Sequence, residues 1–171
     1  MHILLAILGV AIGVGFWLWR ARLAAKAVID TADDVRAAVR RFGYRRKSNT
    51  NPLDGIDDPR LAAAGILAAF ASMDGGIGRA EIASIAEECR RGFQTDAGEA
   101  EQIGAYGRWL VQQSTNMDEA VRRLARNLEG KLSDVEKDQL MGMIERVASV
   151  EEGALSDAQR YTLDQLARQL N

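Results

Sequence analysis

The sequence contains almost no histidine or cysteine, on which many catalytic and metal sites depend. Its 171 residues include one histidine, His2, and one cysteine, Cys89. A disulfide framework needs a second cysteine, and a triad or zinc site in the body of the chain has no histidine to use. No glycine-rich phosphate loop follows a strand-like segment. We therefore expect a protein that is not an enzyme, with Cys89 in its core.

Patterns typical of β-strands are also missing, since no stretch alternates between apolar and polar residues for long enough. Residues 61–73 are almost all apolar or small, which predicts a central buried helix. Capping residues mark further helix starts, at Asp58 before Pro59 and at Asn116, Ser133 and Ser156. The body of the chain is therefore predicted to be all-α, a compact bundle of about six to seven helices.

Charge is absent from residues 3–19, which form an uninterrupted apolar run. As a helix this run would be about 25 Å long, close to the roughly 30 Å of a bilayer's hydrocarbon core. Arg20, Arg22 and Lys26 follow at once and are expected among the lipid headgroups. Because basic residues mark the cytoplasmic end of a span, we predict a single-pass bacterial inner-membrane protein with a cytoplasmic C-terminal domain.

A cleaved signal peptide is the alternative interpretation of this run. A signal peptide carries its positive charge before the apolar stretch, where this chain has only Met1 and His2. The order of charge and apolar residues therefore favours a transmembrane helix.

Basic and acidic residues are segregated along the chain. Residues 20–47 hold nine Lys and Arg against three Asp, whereas the remaining residues hold 13 basic and 21 acidic ones. A basic segment beside a membrane is attracted to anionic lipid, and an acidic body disfavours nucleic acid as a partner. We divide the chain into a transmembrane helix (residues 1–19), a basic juxtamembrane helix with a linker (20–55) and a helical domain (56–171).

Gly9 and Gly13 form a Gly-x-x-x-Gly pair inside the apolar run. This spacing lets two membrane helices approach closely and predicts a homodimer. Glycine is common in membrane spans in general, so ordinary span composition is the alternative.

An acidic glycine turn occurs twice in the helical domain. Asp74 and Gly75 precede Glu81, and the pair Glu151-Glu152 is followed by Gly153 and leads to Gln159. Hard divalent cations bind several oxygens from such turns, so the metal-site candidates are Asp74, Glu81, Glu151 and Glu152. An EF-hand is disfavoured because Phe70 stands where its first Asp is needed. Helix capping is the alternative, with Glu81 in a first helical turn and glycines ending the preceding helix.

These turns resemble those of the tellurite-resistance TerB-like family, through Ala71-Ser72-Met73-Asp74-Gly75 and the second pass at residues 147–153. The resemblance covers about residues 56–171. It implies two helical halves, each with an Ala-x-x-Asp-Gly-x-Ile/Leu-Ser-x-x-Glu turn, whose acidic residues could bind a divalent cation. The chain departs from that pattern at Gly78, where serine is expected, and at Gln159, where glutamate is expected.

Anchored relatives with such a domain include the DjlA type of co-chaperone, whose J domain needs a His-Pro-Asp tripeptide. This sequence has none, so we expect no J-domain activity. We expect instead a non-catalytic cytoplasmic interaction or stress-response module with a protein partner still to be identified. The alternatives are a divalent-cation sensor and, more remotely, a hydrolase that uses carboxylates.

The predicted orientation can be tested with reporter fusions after Asn171. A reporter that fluoresces only in the cytoplasm should be active there, because the basic residues from Arg20 onward keep that side of the span inside. Activity of a periplasm-only reporter at the same position would contradict both the orientation and the rejection of a signal peptide.

Overall fold

The computed structural model of the chain describes residues 51–171 except Glu152. These residues form helices without any strand, so the all-α class is confirmed for this part of the chain. The helices are α1 (Pro59–Ser72), α2 (Arg79–Gly92), α3 (Ala97–Val111), α4 (Met117–Arg126), α5 (Asp134–Ala148) and α6 (Asp157–Leu170).

Several predictions concern residues 1–50 and lie outside the described residues. They are the transmembrane helix, the dimerisation pair and the headgroup contacts, at Gly9, Gly13, Arg20, Arg22 and Lys26. Within the described part, no helix combines the length and the apolar character needed to cross a bilayer.

Helix α1 is the centre of the bundle, as its composition predicts. Every residue from Leu61 to Ala71 is buried, because α2, α3, α4 and α5 all pack around it. The helix starts at Pro59 with Asp58 as its N-cap, whose Oδ1 accepts a hydrogen bond from the backbone N–H of Arg60 at 2.9 Å. A helix that is apolar on all sides has no face for water, so it must be surrounded.

Small residues let α1 and α3 approach to backbone contact. A Cβ added at Gly107 would lie 2.5 Å from both the carbonyl carbon and the carbonyl oxygen of Ala64. No side chain fits in that space, so Gly107 sets the distance between the two helices.

Helices α4, α5 and α6 begin at the capping residues that the sequence predicts. Asn116 Oδ1 accepts the backbone N–H of Glu119 at 3.0 Å. At the start of α5 the backbone N–H of Ser133 donates to Glu136 Oε2 at 2.8 Å, and the Ser133 hydroxyl donates to the same oxygen. These bonds from Ser133 hold the pKa of the Glu136 carboxyl below its usual range. Local side chains thus determine where the helices begin.

The end of the predicted linker belongs to the folded unit. Leu53 is fully buried and Ile56 is buried beside it in the core. Asn127, at the end of α4, holds this segment, since its Nδ2 donates to the carbonyl of Leu53 and its Oδ1 accepts the N–H of Ile56, both at 2.9 Å. Arg123 adds an ion pair to Asp54.

The close contact at Gly107 predicts the effect of a single methyl group. Gly107→Ala should destabilise the full chain by about 2 kcal/mol, because overpacking the helix interface outweighs the gain in helix propensity. Urea unfolding followed by circular dichroism measures this change. Gly98→Ala is the matched control in the exposed first turn of α3 and should stabilise by about 0.5 kcal/mol. Equal stability of the Gly107→Ala variant and the wild type would contradict the tight interface.

Candidate functional site

The two acidic turns are the loops that join α1 to α2 and α5 to α6. In the first loop Gly75 and Gly76 have φ angles of 131° and 109°, and in the second Gly153 has a φ of 74°. Residues with a Cβ atom disfavour these positive φ angles, so glycine permits the sharp reversal in each loop. The backbone conformation of the loops thus explains why glycine recurs in both turns.

The two loops enclose one small pocket. Asp74, Gly76 and Glu81 line it from the first loop and the start of α2, while Glu151 and Gln159 line it from the second loop and α6. Ala71, Val147 and Ala148 complete the lining. At about 50 Å³ the pocket has room for an ion or one or two water molecules, but not for a typical organic substrate.

Glu81 lies in the first turn of α2 with 6% of its surface exposed. Its Oε2 accepts the backbone N–H of Gly78, the N-cap residue, at 2.8 Å. A capping box has two reciprocal bonds, and this is the one that does not need a side chain on the N-cap residue. Glu81 therefore caps the start of α2, and its carboxylate is at the same time part of the pocket wall.

Glu151 reaches Glu81 across Gly78. A Cβ built on Gly78 would lie 2.8 Å from Glu151 Oε1 and also 2.8 Å from Glu81 Oε2, so the two oxygens are separated by at most twice that distance. A serine at position 78 would require the flexible end of at least one of these two side chains to shift.

Gln159 links the second loop to the first half of the domain. It is 2% exposed, and its Oε1 accepts the backbone N–H of Ser156 at 2.9 Å. Its Nε2 donates to the backbone carbonyl of Phe70, in the last turn of α1, at 3.1 Å. The sequence identified Gln159 only as a lost carboxylate, whereas the structure gives its amide a hydrogen-bond partner in another helix.

Three of the predicted metal ligands, Asp74, Glu81 and Glu151, line the same pocket. Asp74 and Glu151 are exposed, Glu81 is engaged with Gly78, and Glu152 lies outside the described residues. Among the described residues no group of three or more His, Cys, Asp or Glu side chains is arranged to hold a metal ion.

An ion pair between a buried glutamate of α2 and an exposed arginine of α5 was not predicted. Glu88 in α2 is buried, and its two oxygens accept hydrogen bonds from Arg146 of α5 at 2.9 and 2.8 Å. The pair joins α2, in the first half of the domain, to α5, in the second half. Its signal in the sequence is weak, because the partners are 58 residues apart.

Cys89 is fully buried, as predicted, next to this ion pair. Burial raises the pKa of its thiol to about 12, and the neighbouring charge of Glu88 acts in the same direction. The thiol therefore remains protonated at neutral pH and is not an activated nucleophile.

Comparison with known proteins identifies the fold family of this domain. No curated protein and no solved structure matches the chain. The profile of the family described as tellurite resistance protein TerB matches residues 60–171, which include both acidic loops and all six helices except Pro59, the first residue of α1. The chain therefore belongs to the TerB family.

Proposed function

We propose that this chain is a non-catalytic interaction module of the TerB type, anchored in a bacterial inner membrane with its helical domain in the cytoplasm. Its role is to bind a protein partner during a stress response. Family membership supports the stress-response part of the proposal.

The observation that carries the proposal is that buried polar side chains bond to other groups of the protein. Glu81 and Gln159 cap helices, Asn127 holds the entering segment and Glu88 pairs with Arg146. Each of these groups stabilises the fold through a short contact inside the protein. Catalytic groups, in contrast, converge on a space where a substrate can react, and the pocket between the loops is too small for most organic substrates.

The distribution of charge supports the anchoring part of the proposal. The helical domain is acidic and would be repelled by anionic lipid, whereas residues 20–47 are strongly basic. A basic segment between an apolar run and an acidic domain can hold the domain near the membrane while its surface faces the cytoplasm.

Exposed apolar side chains indicate where a partner would bind. Within the described residues, the large hydrophobic side chains that are exposed are Val135, Val150 and Tyr161, all in α5, α6 or the loop between them. Tyr161 is 65% exposed, and tyrosine is enriched at protein interfaces. We therefore assign the partner-binding surface to this second half of the domain.

A divalent-cation sensor is the second candidate. The convergence of Asp74, Glu81 and Glu151 on one pocket favours it. A bound cation would act on the loops that connect the two halves, so it would change stability or the orientation of α6. Gln159 argues against this candidate, because its amide brings no negative charge to the pocket.

Site-specific photocrosslinking in intact cells tests the interaction surface. A photoreactive residue at Tyr161 or at Val135 should give a discrete adduct with the partner, and one at exposed Gln112, after α3, should not. Tyr161→Ala should reduce recovery of that partner about tenfold, since interface tyrosines commonly contribute more than about 1 kcal/mol to binding. The melting temperature should stay within about 2 °C of the wild type, because exposed substitutions have small effects. Absence of an adduct at both positions, or unchanged recovery, would reject the proposed surface.

A strain that lacks the chain tests the stress-response part. It should grow more slowly than the wild type in tellurite, and expression of the chain should restore growth. Equal growth of the two strains in tellurite and in other oxidants would remove this part of the proposal.

A further inference from the structure

The two halves of the domain use corresponding side chains at their loops. Glu81 and Gln159 each lie three residues after an N-cap, and each accepts the backbone N–H of that N-cap residue, at 2.8 Å from Gly78 and 2.9 Å from Ser156. Both side chains are buried and both line the same pocket. They differ in charge, since one is a carboxylate and the other an amide.

The difference in charge has an electrostatic consequence. Two buried carboxylates on one pocket would repel each other, and Glu151 adds a third nearby. Such a group is stable when a cation neutralises it or when one of the carboxylates is protonated. With an amide at position 159, Glu81 is the single buried carboxylate among the described residues that line the pocket.

The amide also supplies a donor that a carboxylate lacks. Gln159 Nε2 donates to the carbonyl oxygen of Phe70, at the end of α1, whereas α6 packs mainly on α4 and α5. A glutamate in this position would place a negative oxygen against that carbonyl. Carboxylate and carbonyl oxygens side by side are ligands that a hard cation prefers.

We propose that Gln159 takes the place of a bridging cation between the two halves of the domain. Its amide joins the start of α6 to the end of α1 by a direct hydrogen bond. The stability of the domain is therefore independent of divalent cations, and the loops do not respond to them. This inference stands apart from the proposed membrane anchor and protein partner, because it concerns only contacts inside the domain.

Thermal unfolding of the full chain, purified in a mild detergent, tests the proposal. The melting temperature of the wild type should change by less than about 1 °C between chelator and millimolar Ca²⁺ or Mg²⁺. Gln159→Glu should lower the melting temperature in chelator, and Ca²⁺ should then raise it by about 5 °C or more, because the added carboxylate creates a site that the folded state alone can fill. Sodium chloride at the same ionic strength separates binding from screening.

Gln165→Glu is the matched control, since it adds the same charge to α6 outside the pocket lining. It should not make the melting temperature depend on Ca²⁺. Gln159→Leu should lower the melting temperature by several degrees without creating a cation response, because it removes the bond to Phe70 and adds no charge.

Two results would overturn the proposal. One is a wild-type melting temperature that rises by several degrees with Ca²⁺ or Mg²⁺, which would support the cation sensor instead. The other is a folded Gln159→Glu variant that ignores both cations. If Gln159→Glu unfolds in every condition, the wild type and the Gln159→Leu variant decide. The wild-type melting temperature should then be unaffected by either cation, and that of Gln159→Leu should be lower than that of the wild type.

Discussion

The structure depends on the complete enclosure of α1. Because every side of this helix is apolar or small, the neighbouring helices must cover it, and Gly107 lets α3 come into backbone contact with it. The last turn of α1 then places the Phe70 carbonyl and Asp74 at one end of the bundle, where α2 and α6 begin. The position of the pocket is therefore a consequence of core packing.

The sequence predicts the features that short segments determine. The starts of α4 and α5 follow from Asn116 and Ser133, because a capping side chain bonds to a backbone group only a few residues away. The burial of α1 follows from composition alone. Both are local or compositional properties, so they can be identified without knowing which helices are neighbours.

Other contacts depend on residues that are distant in the sequence and could not be predicted from it. The turn-rich segment around Leu53 suggests a linker, but Asn127 binds its backbone from 74 residues away. Gln159 donates to a carbonyl 89 residues away, and Glu88 pairs with Arg146 across the two halves. The repeated acidic turns both contribute residues to one pocket. They do not reveal that Gln159, one of the two buried capping side chains, also donates a hydrogen bond to another helix.

The same physical constraint connects the fold to the proposed function. A domain of this size has little stability to spare, so an unpaired buried polar group is costly. At the loops the buried polar side chains are paired with protein atoms, Gln159 with the Phe70 carbonyl and Glu88 with Arg146. These contacts tie α5 and α6 to α1 and α2. The proposed partner surface, to which Tyr161 and Val135 are assigned, is then held in one shape, so binding would not have to order it first.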